Sequence, residues 1–296
     1  MRLGVLFPQT EIGDDPIAVR DFGQAADDLG YTHLLTFEHV LGVDPTTRPG
    51  WDGYYSFDAQ FHEPFVLFGY LAGLTTRISF ATNVMVVPQR QTALVAKQAA
   101  AVDVLSGGRL RLGVGVGWNG EEFAGLGADF HTRGARVDEQ IGLLRALWTQ
   151  ESVTFEGRWE RVQGLGIRPL PIQRPIPVWI GGASDIALDR AGRIGDGWFP
   201  VAQSPDRLRR GLERVHAAAR AAGREPSDVG VDAMLWARSP AEQTWRAELE
   251  RWLQAGLDVD LTFATLETGF RNASEHIDAI RRFKRLADDL VASSPR

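Results

Sequence analysis

The fold class this sequence predicts is α/β: a (β/α)8 TIM barrel carrying a β-hairpin insertion before strand 5 and long loops after strands 2 and 4. Three observations predict it. Short β-rich apolar runs alternate with stretches of helical periodicity along the whole chain. Eight such units can be counted, which favours a closed barrel over an open doubly wound sheet. The length, 296 residues, is one that a single barrel fills. Residues 1–296 therefore read as one domain, with no internal repeat or low-complexity linker.

Residues 3–7 supply a short buried strand. Residues 16–29 follow as a helix with Ile17, Phe22, Ala25, Ala26 and Leu29 at helical spacing, ended by Gly30 in the position a C′ glycine takes. Residues 33–37 are the second strand, and a long Gly-, Pro- and Trp-bearing loop separates them from a helix over 63–74. The third unit is a strand over 77–84 and a helix over 92–105, stopped by Ser106-Gly107-Gly108. The fourth strand, 109–114, precedes a second long loop, and its helix is delayed until 133–148. VTFEGRWERV then predicts the hairpin, turning at Glu156-Gly157, before the fifth strand at 176–180. A helix from Ser184, a strand at Trp198-Phe199 and a helix over 205–221 come next. Strands over 229–236 and 259–263, each with its helix (241–255 and 275–290), complete the eight.

Hydrophobic residues make up 44% and charged residues 24%, so the chain can bury a large core without staples. A net charge of -6 with no basic stripe speaks against nucleic-acid partners. The absence of cysteine removes disulfides, Cys-ligated zinc, iron–sulfur clusters and thiol nucleophiles together. The apolar run at 3–7 is too short for a signal-peptide core or a membrane span, so the expectation is a cytoplasmic protein with no membrane partner. No histidine pair has ligand spacing, and no metal is expected. The two lysines, Lys97 and Lys284, fall in helical patterns, which leaves a Schiff-base mechanism without a nucleophile.

Barrels present their chemistry on the loops after the strands. The segments that matter are 8–14, 38–55, 83–91, 115–130, 181–184 and 200–204. Glu38-His39 follows the strand HLLTF, where His39 can trade a proton near neutral pH or simply cap a strand end. Gly115, Gly117 and Gly120 spell G-x-G-x-x-G after a strand, but three βα units precede them and a loop follows, unlike a dinucleotide fingerprint. Closer approach of the backbone to a flat ring is the preferred use. Gly181-Gly182-Ala183-Ser184 joins a strand to a helix N-terminus, which either receives a phosphate or is a tight turn with Ser184 as N-cap.

Residues 81–123, ATNVMVVPQRQTALVAKQAAAVDVLSGGRLRLGVGVGWNGEEF, closely resemble the luciferase-like monooxygenase family, especially its branch using the deazaflavin coenzyme F420. The resemblance continues through RGARVDEQIGLLRALW, FEGRW, PVWIGG and GDGWFP, covering roughly residues 1–222. It implies a non-proline cis peptide at Asn83-Val84 pressing on the middle of the cofactor ring. Glu38 and His39 then match the acidic-His pair beside the reactive ring. Gly115, Gly117, Trp118 and Asn119 lie along the cofactor, and Gly181, Gly182 and Ala183 hold its phosphate. In the sugar-phosphate dehydrogenase branch a glutamate occupies the place of Trp118, so this departure argues against sugar-phosphate chemistry. Trp51, Tyr54, Tyr55, Phe57 and Trp198 are candidate walls of an apolar substrate pocket, with core packing the other reading for Trp198.

The resemblance implies hydride transfer between coenzyme F420 and a small, apolar or aromatic organic substrate, with His39 relaying the proton. The alternative is an FMN-dependent monooxygenase using reduced flavin and O2, supplied by a partner flavin reductase. A third reading is a barrel that binds flavin without turnover. A homodimer through helices two and three is expected from the same resemblance.

Overall fold

The computed structural model describes residues 1–201 and 204–293. Residues 202 and 203, inside the inspected segment 200–204, and residues 294–296 of the predicted domain lie outside the described residues. The first units are β1 (Leu3–Leu6), α1 (Pro16–Asp28), β2 (His33–Thr36), α2 (Pro64–Ala72), β3 (Ser79–Thr82), β4 (Met85–Val86) and α3 (Thr92–Ser106). Next come β5 (Leu110–Gly115), α4 (Gly120–Gly125), α5 (Arg133–Thr149), β6 (Val153–Glu156), β7 (Arg161–Leu165), β8 (Val178–Gly181) and α6 (Asp185–Ile194). The chain closes with β9 (Gly197–Phe199), α7 (Pro205–Ala221), β10 (Gly230–Trp236), α8 (Glu242–Gln254), β11 (Asp260–Ala264) and α9 (Ala273–Ser293).

The staves pair in parallel in the order β3-β2-β1-β11-β10-β9-β8-β5, and β3 pairs back onto β5 to close the barrel. Among the described residues only β6 and β7 pair antiparallel, forming the inserted hairpin. Glu139 of α5 holds the hairpin turn, accepting the backbone N–H groups of Arg158 (3.0 Å) and Trp159 (2.9 Å). Helix ends follow their sequence signals. Asp15 caps α1 and accepts from the Ile17 N–H (2.9 Å), Gly30 takes φ 78°, and Gly107 ends α3 at φ 71°.

Two elements differ from the sequence reading. The third strand, expected over 77–84, runs from Ser79 to Thr82, where the Asn83–Val84 peptide is cis, as the resemblance implies, and separates β3 from β4. The predicted long loop after the fourth strand contains α4, six residues too short for periodicity to reveal. Asn119 caps it by accepting from the Glu122 N–H (3.4 Å), and Glu121 and Glu122 sit in its first turn, where the helix dipole favours acids.

Alternation along the strands sorts the side chains. Outward residues such as Val5, Leu34, Leu112, Val231 and Leu261 pack under the helices in the main core. Inside the barrel, Leu6, Leu35, Ala81, Phe199 and Ala264 form an apolar layer. Below it lies a buried polar layer: His33 Nε2 meets Asp232 at 2.9 Å and Thr262 Oγ1 at 3.0 Å, and the Arg111 guanidinium lies 3.7 Å from Asp232. Arg111 also stacks on Trp179, 4.6 Å from its ring centroid. β1 makes room for this layer at Gly4, where a Cβ would stand 2.0 Å from His33 Nε2.

Candidate active site

At the C-terminal ends of the strands, a cavity of about 390 Å³ opens between Phe37, Glu38 and His39 after β2, Val84 after β3 and the Gly115–Trp118 turn after β5. Gly181, Gly182, Phe199, Met234 and Trp236 complete its walls, which are largely apolar. Val84 lies between Gly115 and Gly181 in its wall. A Cβ at Gly115 would come within 2.4 Å of the Val84 side chain and one at Gly181 within 2.5 Å, so both glycines keep this residue's place on the floor. A second lobe of about 260 Å³ shares Gly115, Val116 and Gly181 with the cavity and runs to His131, Arg133 and Ser184.

His39 is the one histidine among the described residues lining the cavity. Its Nδ1 lies 3.1 Å from Glu122 Oε2 on α4, and Glu122 Oε1 accepts the backbone N–H groups of Val40 (2.6 Å) and Leu41 (3.2 Å). Burial alone would raise the Glu122 carboxyl, but the bonds from His39, Val40 and Leu41 hold it below the ordinary carboxylate range. The imidazole is enclosed by Tyr55 and Phe61, each at 5.1 Å between ring centroids, and by Trp118 at 5.7 Å.

Glu38 lines the same cavity but is not bonded to His39. One oxygen accepts from the Val86 N–H (2.5 Å) and the other pairs with Arg90, which also reaches Glu63 (3.3 Å). Burial outweighs the Arg90 guanidinium and leaves the Glu38 carboxyl above its ordinary range.

The other candidates divide. Asn83, Val84, Gly115, Gly117, Trp118, Gly181, Gly182 and Tyr55 line the cavity. Asn119 is buried as the cap of α4, and Ala183 turns toward a surface groove between α6 and α7. Trp51 packs around Gly53 with Trp118, whereas Tyr54 (89% exposed) touches Trp118 from outside and Phe57 points to solvent. Trp198 corrects the pocket reading. Alternation in β9 sends Phe199 into the barrel and Trp198 outward, where its ring packs on Gly211 of α7 and Nε1 donates to Gly182 O (2.8 Å).

Sequence reasoning missed Glu122, Arg133, Met234 and Trp236, and it placed His131 only in a loop able to close over a site. The spacing Asn119-x-x-Glu122 was the available helix-start signal for the first. In the second lobe, Arg133 donates, among the described residues, only to carbonyls, those of Gly117 (3.2 Å) and Phe130 (2.7 Å), and its guanidinium lies 3.6 Å from the Phe130 centroid. Ser184 caps α6 by accepting from the Ala187 N–H (3.3 Å), which points that helix's N-terminus at the same lobe. Among the described residues no group of three or more His, Asp or Glu could hold a metal ion.

The sequence profile of the luciferase-like monooxygenases matches residues 1–290. The chain belongs to this family. An uncharacterized protein of Mycobacterium tuberculosis is 40% identical over 172 residues, 58% of this chain and 59% of that one. The FMNH(2)-dependent dimethylsulfone monooxygenase of Pseudomonas putida is 32% identical over 193 residues, 64% of this chain and 52% of that enzyme. The chain thus spans little more than half the length of these curated relatives. Among solved structures, monooxygenase RslO1 from Streptomyces bottropensis superposes with a TM-score of 0.81 at 19% identity, covering 98% of this chain and all of that one. The coenzyme F420 dependent tetrahydromethanopterin reductase from Methanopyrus kandleri gives 0.72 at 16% identity, covering 95% and 99%. These two likenesses show the shared fold. No described helix is long and apolar enough to cross a membrane.

Proposed function

We propose that the chain is a cytoplasmic oxidoreductase that moves a hydride between coenzyme F420 and a small, uncharged organic substrate, with His39 exchanging the accompanying proton. The observation that carries this reading is the placement of His39, backed by a buried carboxylate, in the wall of a largely apolar cavity that continues into a cationic lobe. A deazaflavin fits that shape. Its ring would lie against Val84, Val116 and the Gly115–Trp118 turn, and its phosphate against Arg133, His131 and the N-terminus of α6. When bound, it supplies a two-electron hydride carrier that activates oxygen poorly. Phe199, Met234 and Trp236 offer a substrate apolar contact, and the aromatic shell around His39 keeps water from the proton path.

The second reading, an FMN-dependent monooxygenase fed by a flavin reductase, is favoured by the 32% identity to the dimethylsulfone monooxygenase. One experiment separates the two: titrate the apoprotein in parallel with F420, FMN and riboflavin, then measure oxygen consumption by each reduced complex. Tight F420 binding without oxygen uptake is expected; FMN binding alone would overturn the lead. In Arg133→Ala the advantage of FMN or F420 over a phosphate-free analogue should shrink by roughly 10- to 100-fold, as for a lost charge-assisted bond. An unchanged preference would remove Arg133 from the phosphate site.

A homodimer belongs to the same proposal. α2 carries apolar residues on all faces, and Val66 (70% exposed), Tyr70, Leu94 and Leu105 form outward apolar surface on α2 and α3. Sedimentation of the wild type should give two chains per particle and a Val66→Asp, Leu94→Asp variant one. A monomeric wild type would reject the dimer.

A further inference from the structure

We propose that Glu122 is a positioning residue that holds the resting His39 in a single tautomer, with the proton on Nδ1, so that Nε2 meets the cavity as a proton acceptor. This rests on the hydride-transfer reading and deepens it, because an acceptor nitrogen at that wall selects substrates whose reacting carbon bears a hydroxyl.

The two oxygens of Glu122 have separate duties. Oε1 takes the backbone N–H groups of Val40 and Leu41, at 2.6 and 3.2 Å, and thereby anchors the start of the loop after β2. Oε2 is left to His39 Nδ1 at 3.1 Å. An ionised carboxylate only accepts hydrogen bonds, so this contact requires a proton on Nδ1, and a neutral ring then carries a lone pair on Nε2. Nε2 has no protein partner among the described residues. The other nearby acid cannot compete, because both oxygens of Glu38 are committed to Val86 and Arg90.

Glu122 is itself fixed in place. It is 2% exposed, lies in the first turn of α4 and donates its N–H to the cap residue Asn119. α4 docks on the loop that carries His39: Gly125 fits against Leu41, where a Cβ would come to 2.8 Å, and Glu121 pairs with Arg48 at 2.9 Å. Loop and helix therefore set the imidazole together, with Tyr55, Phe61 and Trp118 packed around its ring.

The chemistry balances for an alcohol. The substrate O–H bond would break and its proton form the second N–H bond of the ring at Nε2, while F420, when bound, would supply the acceptor for the hydride that the carbinol carbon loses as its C–O bond becomes C=O. The imidazolium that results keeps its Nδ1–H on Glu122, whose negative charge compensates it in a buried setting. In reverse, the same ring returns the proton to a carbonyl oxygen that has received hydride.

Glu122→Gln tests the assignment atom by atom. Its amide oxygen can still accept from Val40 and Leu41, while its amide nitrogen replaces Oε2 and donates to Nδ1, which forces the ring proton onto Nε2. Two-bond nitrogen–proton correlation spectra of histidine-labelled apoprotein at alkaline pH, with His39 assigned by its loss in His39→Asn, read the tautomer without cofactor or substrate. The wild type and Glu122→Asp should show the Nδ1–H form and Glu122→Gln the Nε2–H form. With F420 and an accepted alcohol, Glu122→Gln should also lose about a hundredfold or more in turnover at unchanged cofactor affinity. An Nε2–H wild type, or a Gln variant with the wild-type tautomer, would overturn the proposal. Should Glu122→Gln not fold, the wild-type and Asp spectra still decide. Failure of F420 to bind would reject the hydride-transfer reading while leaving the tautomer result standing.

Discussion

Replacing Asp232 by alanine should cost about 3–5 kcal/mol of folding stability, the range for breaking one side of a buried charged cluster. Asp232 is 3% exposed at the bottom of the barrel, and its carboxylate lies 2.9 Å from His33 and 3.7 Å from Arg111. Two nitrogens of Arg111 are already buried without a hydrogen-bond partner, so its charge depends on Asp232. Urea unfolding at neutral pH measures the loss. Removing both charges, in Asp232→Leu with Arg111→Met, should recover much of it, because the double variant strands neither group. A single-variant loss under about 1 kcal/mol would show that the barrel tolerates an unpaired Arg111.

The same carboxylate gives a pH dependence of definite sign. Burial alone would raise Asp232, but His33, the Arg111 guanidinium and the Thr262 hydroxyl outweigh it and hold the group below the ordinary carboxylate range. The stability it contributes is present above about pH 4, the unfolded value, and is lost as pH falls through the lower folded value. Stability of Asp232→Asn should therefore fall less steeply than that of the wild type below pH 4. Equal slopes would contradict the assignment.

How far the sequence could be read follows from the range of each signal. The barrel was legible because alternation and helical period are local, and so were the ends of α1 and α3, marked by Gly30 and Gly107. The three residues of β9 are too few for alternation to say which way Trp198 faces. The polar layer depends on register, since His33, Arg111, Asp232 and Thr262 meet only when four distant strands align. Most instructive is the acid partner of His39. The resemblance placed Glu38 and His39 together beside the ring, but neighbouring residues leaving a strand diverge, and the carboxylate bonded to His39 is Glu122, 83 positions away on a helix too short to be seen.

That substitution of partners separates two variants which the sequence alone would have treated alike. His39→Ala should cost only about 1 kcal/mol of stability, the low end for a buried acceptor left without its partner, because Oε1 of Glu122 keeps its two backbone N–H groups. Turnover of an alcohol by the F420-loaded protein should fall by about 10²- to 10⁴-fold, the usual contribution of a general base, with cofactor affinity retained. Glu38→Ala should act chiefly on stability. It withdraws the carboxylate from Arg90 and from the Val86 N–H beside Asn83–Val84, leaving a largely buried guanidinium with only Glu63 at 3.3 Å, and stability should drop by about 3 kcal/mol. Activity in the molecules that remain folded should be altered less than in His39→Ala. Thermal unfolding and steady-state kinetics on both variants distinguish the roles. If His39→Ala keeps its turnover, the proton passes elsewhere; if Glu38→Ala unfolds no earlier than the wild type, its pairing with Arg90 is not what holds the cavity floor.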